Sequence, residues 1–87
     1  MTWATDRRLD YIDWRLLTAG AIRRSDIMRA FEVSEGQASA DLAEFHRLYP
    51  EASRYDKSAK RYVPANGRYG SQRGIKRRVP LVFEIVN

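Results

Sequence analysis

The 87-residue chain has no cysteine and a single histidine, His46. Without thiols it can form neither a disulfide framework nor a thiolate zinc site, and one imidazole does not make a metal site by itself. No apolar run approaches the length of a membrane span, and Met1 to Asp10 is polar and charged, unlike a secretory leader. The expected compartment is therefore the cytoplasm. The chain also lacks a phosphate-cradling glycine loop and any nucleophile with a histidine at motif-like spacing. An enzyme is a poor reading, and no cofactor or metal is expected. A single domain of this size buries only about 60% of its unfolded surface, which leaves little room for a catalytic cavity.

What the chain does have is basic charge, unevenly spread. The formal net charge is +5, with −2 in residues 1–51 and +7 in residues 52–87. That asymmetry suits a polyanion such as nucleic acid, met chiefly by the second half.

Leu9, Ile12, Leu16 and Leu17 recur at helical spacing between Thr5 and Thr18, with Tyr11 and Trp14 beside them and Gly20 as a stop. Asp6, Asp10 and Asp13 lie towards the N-terminal end, where the helix dipole favours them. A second, shorter helix opens around Arg24 or Ser25 and turns Ile27, Met28 and Phe31 inward. In "VSEGQASADLAEF", Ser34 and Gln37 fit a capping box, which predicts a third helix from Glu35 to about Leu48. Its inward stripe is Ala38, Leu42, Phe45 and Tyr49, and Pro50 ends it. Only Glu32, Val33 and Ser34 separate the second and third helices, the spacing of a helix-turn-helix.

"SRYDKSAKRYV", from Ser53, reads as a β-hairpin turning at Lys57, Ser58 and Ala59, with Tyr55 and Tyr62 as a cross-strand pair. Three helices followed by a hairpin give an α+β, winged helix-turn-helix plan over residues 1–64. Residues 65–78, within "PANGRYGSQRGIKRR", read as a basic flexible arm, and residues 79–87 as a C-terminal strand that pairs with the wing sheet or with a second subunit.

From "RLDYIDWRLLTAGAIRRSDIMRAFEVSEGQASADLAEF" through "RYDKSAKRYVP", the chain resembles the N-terminal winged-helix domain of WYL-type bacterial transcriptional regulators, especially repressors associated with phage defence. "YDKSAKRY" is the most specific element of the likeness. The resemblance implies operator binding within a dimer. In that family larger C-terminal domains sense a ligand; the likeness does not extend to them, so ligand control is not expected here.

A recognition helix offers its N-terminal residues to base edges in the major groove. The positions left to face DNA are Glu35, Gly36, Gln37, Ser39 and Ala40, of which Gln37 suits adenine, Ser39 several bases and Ala40 a thymine methyl. None is basic, so the holding charge must lie on the flanks. Arg23, Arg24 and Ser25 open the second helix, Ser34 caps the third, and Arg54, Lys57, Ser58, Lys60 and Arg61 belong to the wing. Arg68, Arg73, Lys76, Arg77 and Arg78 of the arm can follow the backbone or enter a narrow minor groove.

Duller roles compete with these. Gln37 can simply close the capping box, Asp41 and Glu44 can be a solvated face or internal ion pairs, and the arm can be a solubilising tail. The leading expectation is a sequence-specific, double-stranded DNA-binding repressor or regulator acting as a homodimer. The alternative is a protein-interaction adaptor, to which the acidic third helix and the strand-rich tail would be suited.

Overall fold

The computed structural model describes residues 2–75. The element order is α1 (Trp3–Thr18), α2 (Arg24–Phe31), α3 (Glu35–Leu48), β1 (Ser53–Asp56) and β2 (Arg61–Pro64). This is the winged helix-turn-helix arrangement expected from the sequence. The segment 79–87, expected as a strand, lies outside the described residues.

α1 begins two residues before the expected Thr5, because the Thr2 hydroxyl accepts the Thr5 amide at 3.2 Å and caps the first turn. It ends at Thr18 with Ala19 as its C-cap, just before the expected stop at Gly20, whose φ of 72° continues no right-handed helix. Between α2 and α3 the chain turns at Glu32, which adopts the left-handed conformation with φ 53°. The Ser34 hydroxyl then accepts the Gln37 amide at 3.1 Å and starts α3.

Leu9, Tyr11, Ile12 and Leu16 of α1 meet Ile27 and Ala30 of α2 and Ala38, Leu42 and Phe45 of α3 in one buried cluster. Each large side chain fully removed from water there stabilises the fold by about 1.5–3 kcal/mol. Tyr11 stands edge-on to Phe31, with centroids 5.3 Å apart, and closes the α1–α2 side. Ile22, also in this core, exchanges two backbone hydrogen bonds with Tyr62, at 2.9 and 2.8 Å. The hairpin is thereby tied to the link between α1 and α2. β1 and β2 pair antiparallel, with Tyr55 opposite Tyr62 and Asp56 opposite Arg61.

The described part of the expected flexible arm is not free. Asp13 is fully buried, and its carboxylate accepts from the Tyr69 hydroxyl (2.6 Å), the Ser71 hydroxyl (2.6 Å) and the backbone amides of Gln72 (3.0 Å) and Arg73 (2.9 Å). A carboxylate denied water must find donors in the protein, and this segment supplies four. Arg73 turns inward with it, to Asp10 at 2.6 Å, Asp6 at 3.4 Å and the Tyr49 hydroxyl at 3.0 Å. Burial works against the charged guanidinium, but the bonds to Asp10 and Tyr49 outweigh that and raise its pKa. Ser71 also anchors the Ile75 amide at 2.7 Å. Among the described residues, no helix is long and apolar enough to cross a membrane.

Replacing Asp13 by Ala leaves two hydroxyls and two amides without their acceptor. It should lower stability by about 3 kcal/mol and speed hydrogen exchange at the Gln72 and Arg73 amides ahead of the α3 amides. Unchanged exchange there would show that Asp13 does not hold the segment. Burial, and then the bond to Asp13, raise the Tyr69 pKa above its ordinary value of 10.0. The stability linked to this phenol is complete below that value and is lost as pH rises towards the raised one. Tyr69→Phe should therefore show a shallower loss of stability above pH 10 than the parent in denaturation series.

Candidate nucleic-acid interface

The first turn of α3 is exposed at Glu35, Gly36, Gln37 and Ala40 and half-buried at Ser39, while Ala38 turns into the core. This split follows from helical geometry, since a residue pointing to the core leaves its near neighbours on the opposite side. The Cβ that an alanine would add at Gly36 meets only the Ser34 hydroxyl oxygen, at 3.9 Å, so Gly36 gives the helix a thin face without being needed for packing.

The acids of α3 are all engaged. Glu35 pairs with Arg24 at 3.0 Å, Asp41 with Arg8 at 2.6 Å and Glu44 with Arg47 at 2.7 Å. The hydrogen bond from Arg47, ahead of its charge, lowers the Glu44 pKa. Of the two readings given to Asp41 from sequence, the internal ion pair is the observed one, and the solvated face is not, because Asp41 is buried. The helix therefore does not present a free acidic surface, which removes one of the two features that suited the chain to an adaptor role; the other, the strand-rich segment 79–87, lies outside the described residues.

The Gln37 side chain does not return the capping bond. Its Nε2 donates instead to Asp41 Oδ1 at 2.9 Å, one turn further along the helix. Only the serine half of the expected capping box forms.

α2 opens at the exposed residues Arg23, Arg24 and Ser25, and the Arg23 amide donates to the Asp26 carboxylate at 2.8 Å. Arg24 reaches across to α3, with Nη1 3.4 Å from the Ser39 hydroxyl as well as 3.0 Å from Glu35. At the wing tip, Asp56 Oδ1 accepts the Ser58 and Ala59 amides at 3.0 and 3.2 Å, an Asx turn that shapes the loop. Lys60 completes the turn in the left-handed region, at φ 55°. Tyr55 and Tyr62 form the expected cross-strand pair, with ring centroids 5.1 Å apart. Arg54, Lys57, Ser58, Lys60 and Arg61 are all exposed.

These elements converge. A groove enclosing about 310 Å³ runs between α2, α3 and the wing, lined by Arg23, Arg24, Lys60 and Arg61 on its cationic sides and by Ser39, Leu42, Tyr55 and Tyr62 elsewhere. Four positive side chains around one concavity, with Arg24 among them paired to Glu35 of the adjoining helix face, make a place for an anionic backbone. Ser25, Ser34, Arg54, Lys57 and Ser58 are exposed but do not line it. Of the expected arm residues, Arg68 is exposed away from the groove, and Lys76, Arg77 and Arg78 lie outside the described residues. Arg73 departs from the expected phosphate role: only 15% of its side chain is exposed, and Asp6, Asp10 and Tyr49 occupy its donors.

Residues 4–67 match the winged helix-turn-helix domain of the BrxR transcriptional regulators. The chain belongs to this family. It is also similar to proteins named DNA-binding transcriptional repressor CapW, with 43% identity over 60 residues to that of Escherichia coli strain KTE188 and 43% over 61 residues to that of Stenotrophomonas maltophilia. The Pseudomonas aeruginosa protein is 40% identical over 60 residues. Each match covers 69–70% of this chain but only 20% of the relative. The chain thus corresponds to about a fifth of the length of these repressors.

Within this BrxR-type domain, three supports of the interface were not foreseen from the sequence. They are the Ile22–Tyr62 bridge, the Arg8–Asp41 pair and the Asp13 clasp. A faint signal existed for Asp41, which falls three residues after inward Ala38 and beside inward Leu42, where an acid needs a partner.

Removing the α3 cap with Ser34→Ala should lower stability by about 1 kcal/mol and fray the turn that carries Gln37. Thermal unfolding, together with amide exchange at Gln37, checks this; an unchanged melting temperature would assign the helix start to packing alone.

Proposed function

We propose that this domain binds double-stranded DNA in a sequence-specific manner, as the DNA-reading part of a transcriptional repressor. The observation that carries the reading is the cationic groove between α2, α3 and the wing, set against an exposed first turn of α3 that bears no cation and whose one acid, Glu35, is paired with Arg24. α3 enters the major groove and reads bases through Glu35, Gly36, Gln37, Ser39 and Ala40. Glu35 acts there as a tether for Arg24 more than as a reader. Arg23, Arg24, Ser25 and Ser34 meet the phosphates on one side of α3, and Arg54, Lys57, Ser58, Lys60 and Arg61 meet them on the other. Family membership and the name borne by the relatives support the same reading.

The proposal extends to a homodimer on a two-fold site, with half-sites about one helical turn apart. It locates the protein in the cytoplasm with its DNA and assigns it no catalytic step. Arg73 is left out of the DNA contacts, because the domain already uses it.

With about six cations on phosphates, the logarithm of affinity should fall with the logarithm of salt at a slope of about −5. Selection from a randomised duplex library at two salt concentrations should enrich a palindrome. Lys57→Gln with Lys60→Asn, the second chosen because asparagine tolerates the left-handed conformation, should weaken binding evenly across sequences and flatten the slope by about 2. Gln37→Ala with Ser39→Ala should instead alter the enriched motif. A folded protein that enriches no motif would overturn the proposal.

A further inference from the structure

α3 offers five residues to base edges, and the structure separates them by what their polar groups are already doing. Glu35 is paired with Arg24, and the Ser39 hydroxyl lies 3.4 Å from the same guanidinium. Gly36 and Ala40 have no polar side-chain atom. Gln37 remains, exposed, with one amide hydrogen on Asp41 at 2.9 Å. Its side-chain oxygen and second amide hydrogen have no partner among the described residues.

Asp41 is held in turn. It is only 2% exposed, and its other oxygen accepts from Arg8 Nε at 2.6 Å, so the carboxylate is fixed between α1 and α3. The Arg8 side chain is itself 11% exposed, so little water competes for the pair. A lone glutamine on a helix surface samples many rotamers and must be ordered on contact. One tied to a buried, doubly bonded carboxylate is ordered beforehand.

We infer that Gln37 sets the base preference of α3 and that Arg8 and Asp41 are its positioning residues, aiming the amide so that its oxygen and free N–H form a paired acceptor and donor. This rests on the DNA-binding reading above and specifies it. An acceptor beside a donor, on one planar amide, matches the N6 amine and N7 of adenine in the major groove. The base selected by Gln37 is therefore adenine. Arg8 lies on α1 and takes no part in the contact itself, so its effect on base choice is wholly indirect.

The test combines library selection with side-chain amide NMR, using the whole chain. Three proteins are compared: the parent, Gln37→Ala, and the double variant Arg8→Met with Asp41→Leu. The double variant replaces a buried pair with apolar groups of similar size, a change cores often accept, and thermal unfolding verifies that it folds. In the parent, one Gln37 amide proton should be shifted and slow to exchange, and both should revert to the values of an exposed glutamine in the double variant. The parent should enrich adenine at one position of each half-site. Both variants should lose about tenfold in discrimination at that position only, the scale of one bidentate base contact, with preferences elsewhere retained.

Parent amide protons indistinguishable from those of an exposed glutamine would overturn the positioning role, whatever the DNA result. A motif that survives unchanged in the double variant would overturn it too, leaving the DNA-binding reading intact. A base other than adenine at the position lost in Gln37→Ala would overturn the assigned partner. No motif for the parent would remove the DNA-binding reading and this inference together.

Discussion

A carboxylate shut away from water has to be surrounded by donors, and in this small domain that constraint organises most of what the hydrophobic core does not. Asp13 satisfies it with two hydroxyls and two backbone amides from residues 69–73. Asp41 satisfies it with Arg8 from α1 and Gln37 from its own helix. The two solutions have different consequences. The first fastens the segment after the wing to α1, and the second fastens α3 to α1 while fixing a side chain on the exposed face. An apolar core specifies volume and pattern, and buried polar groups add direction, because hydrogen bonds tolerate less angular error than packing does.

The same economy of charge explains why α3 looks acidic in sequence but does not act as an acidic surface. Each of its acids has an arginine within 3.0 Å: Arg24 for Glu35, Arg8 for Asp41 and Arg47 for Glu44. Those arginines come from α2, α1 and α3. Arg24 also lines the groove between α2, α3 and the wing, where Arg23, Lys60 and Arg61 join it, so the −2 and +7 of the two halves of the chain do not show that cations of both halves meet there. Arg73 goes the other way, a basic residue in a basic stretch whose charge is spent on Asp6 and Asp10.

The features legible in the sequence were those with local causes. Ser34 and Pro50 bracket α3 because a cap and a helix breaker act on their immediate neighbours. The Tyr55–Tyr62 pair followed from the hairpin register, which the short turn sets. What the sequence concealed depends on partners far along the chain. Asp13 lies 56 to 60 residues from its donors, and Arg8 lies 33 from Asp41. Periodicity identifies a face but does not say that an acid on the edge of it will be covered. The Gln37 side chain shows the limit within a single helix: two local bonds competed for it, and the tertiary position of Asp41 decided the outcome. Lys76, Arg77, Arg78 and residues 79–87 lie outside the described residues and bear on none of these comparisons.

The pair of backbone bonds between Ile22 and Tyr62 joins β2 of the hairpin to the residue just before Arg23 and Arg24. The two sides of the groove are therefore jaws of one calliper, joined through the main chain and faced by the side chains of Arg23, Arg24, Lys60 and Arg61. Such a calliper measures whatever enters it. On the DNA-binding reading proposed above, an anionic strand of the right gauge would meet both jaws at once, whereas one that is wider or narrower would meet only one, so the fold would select by shape as well as by base.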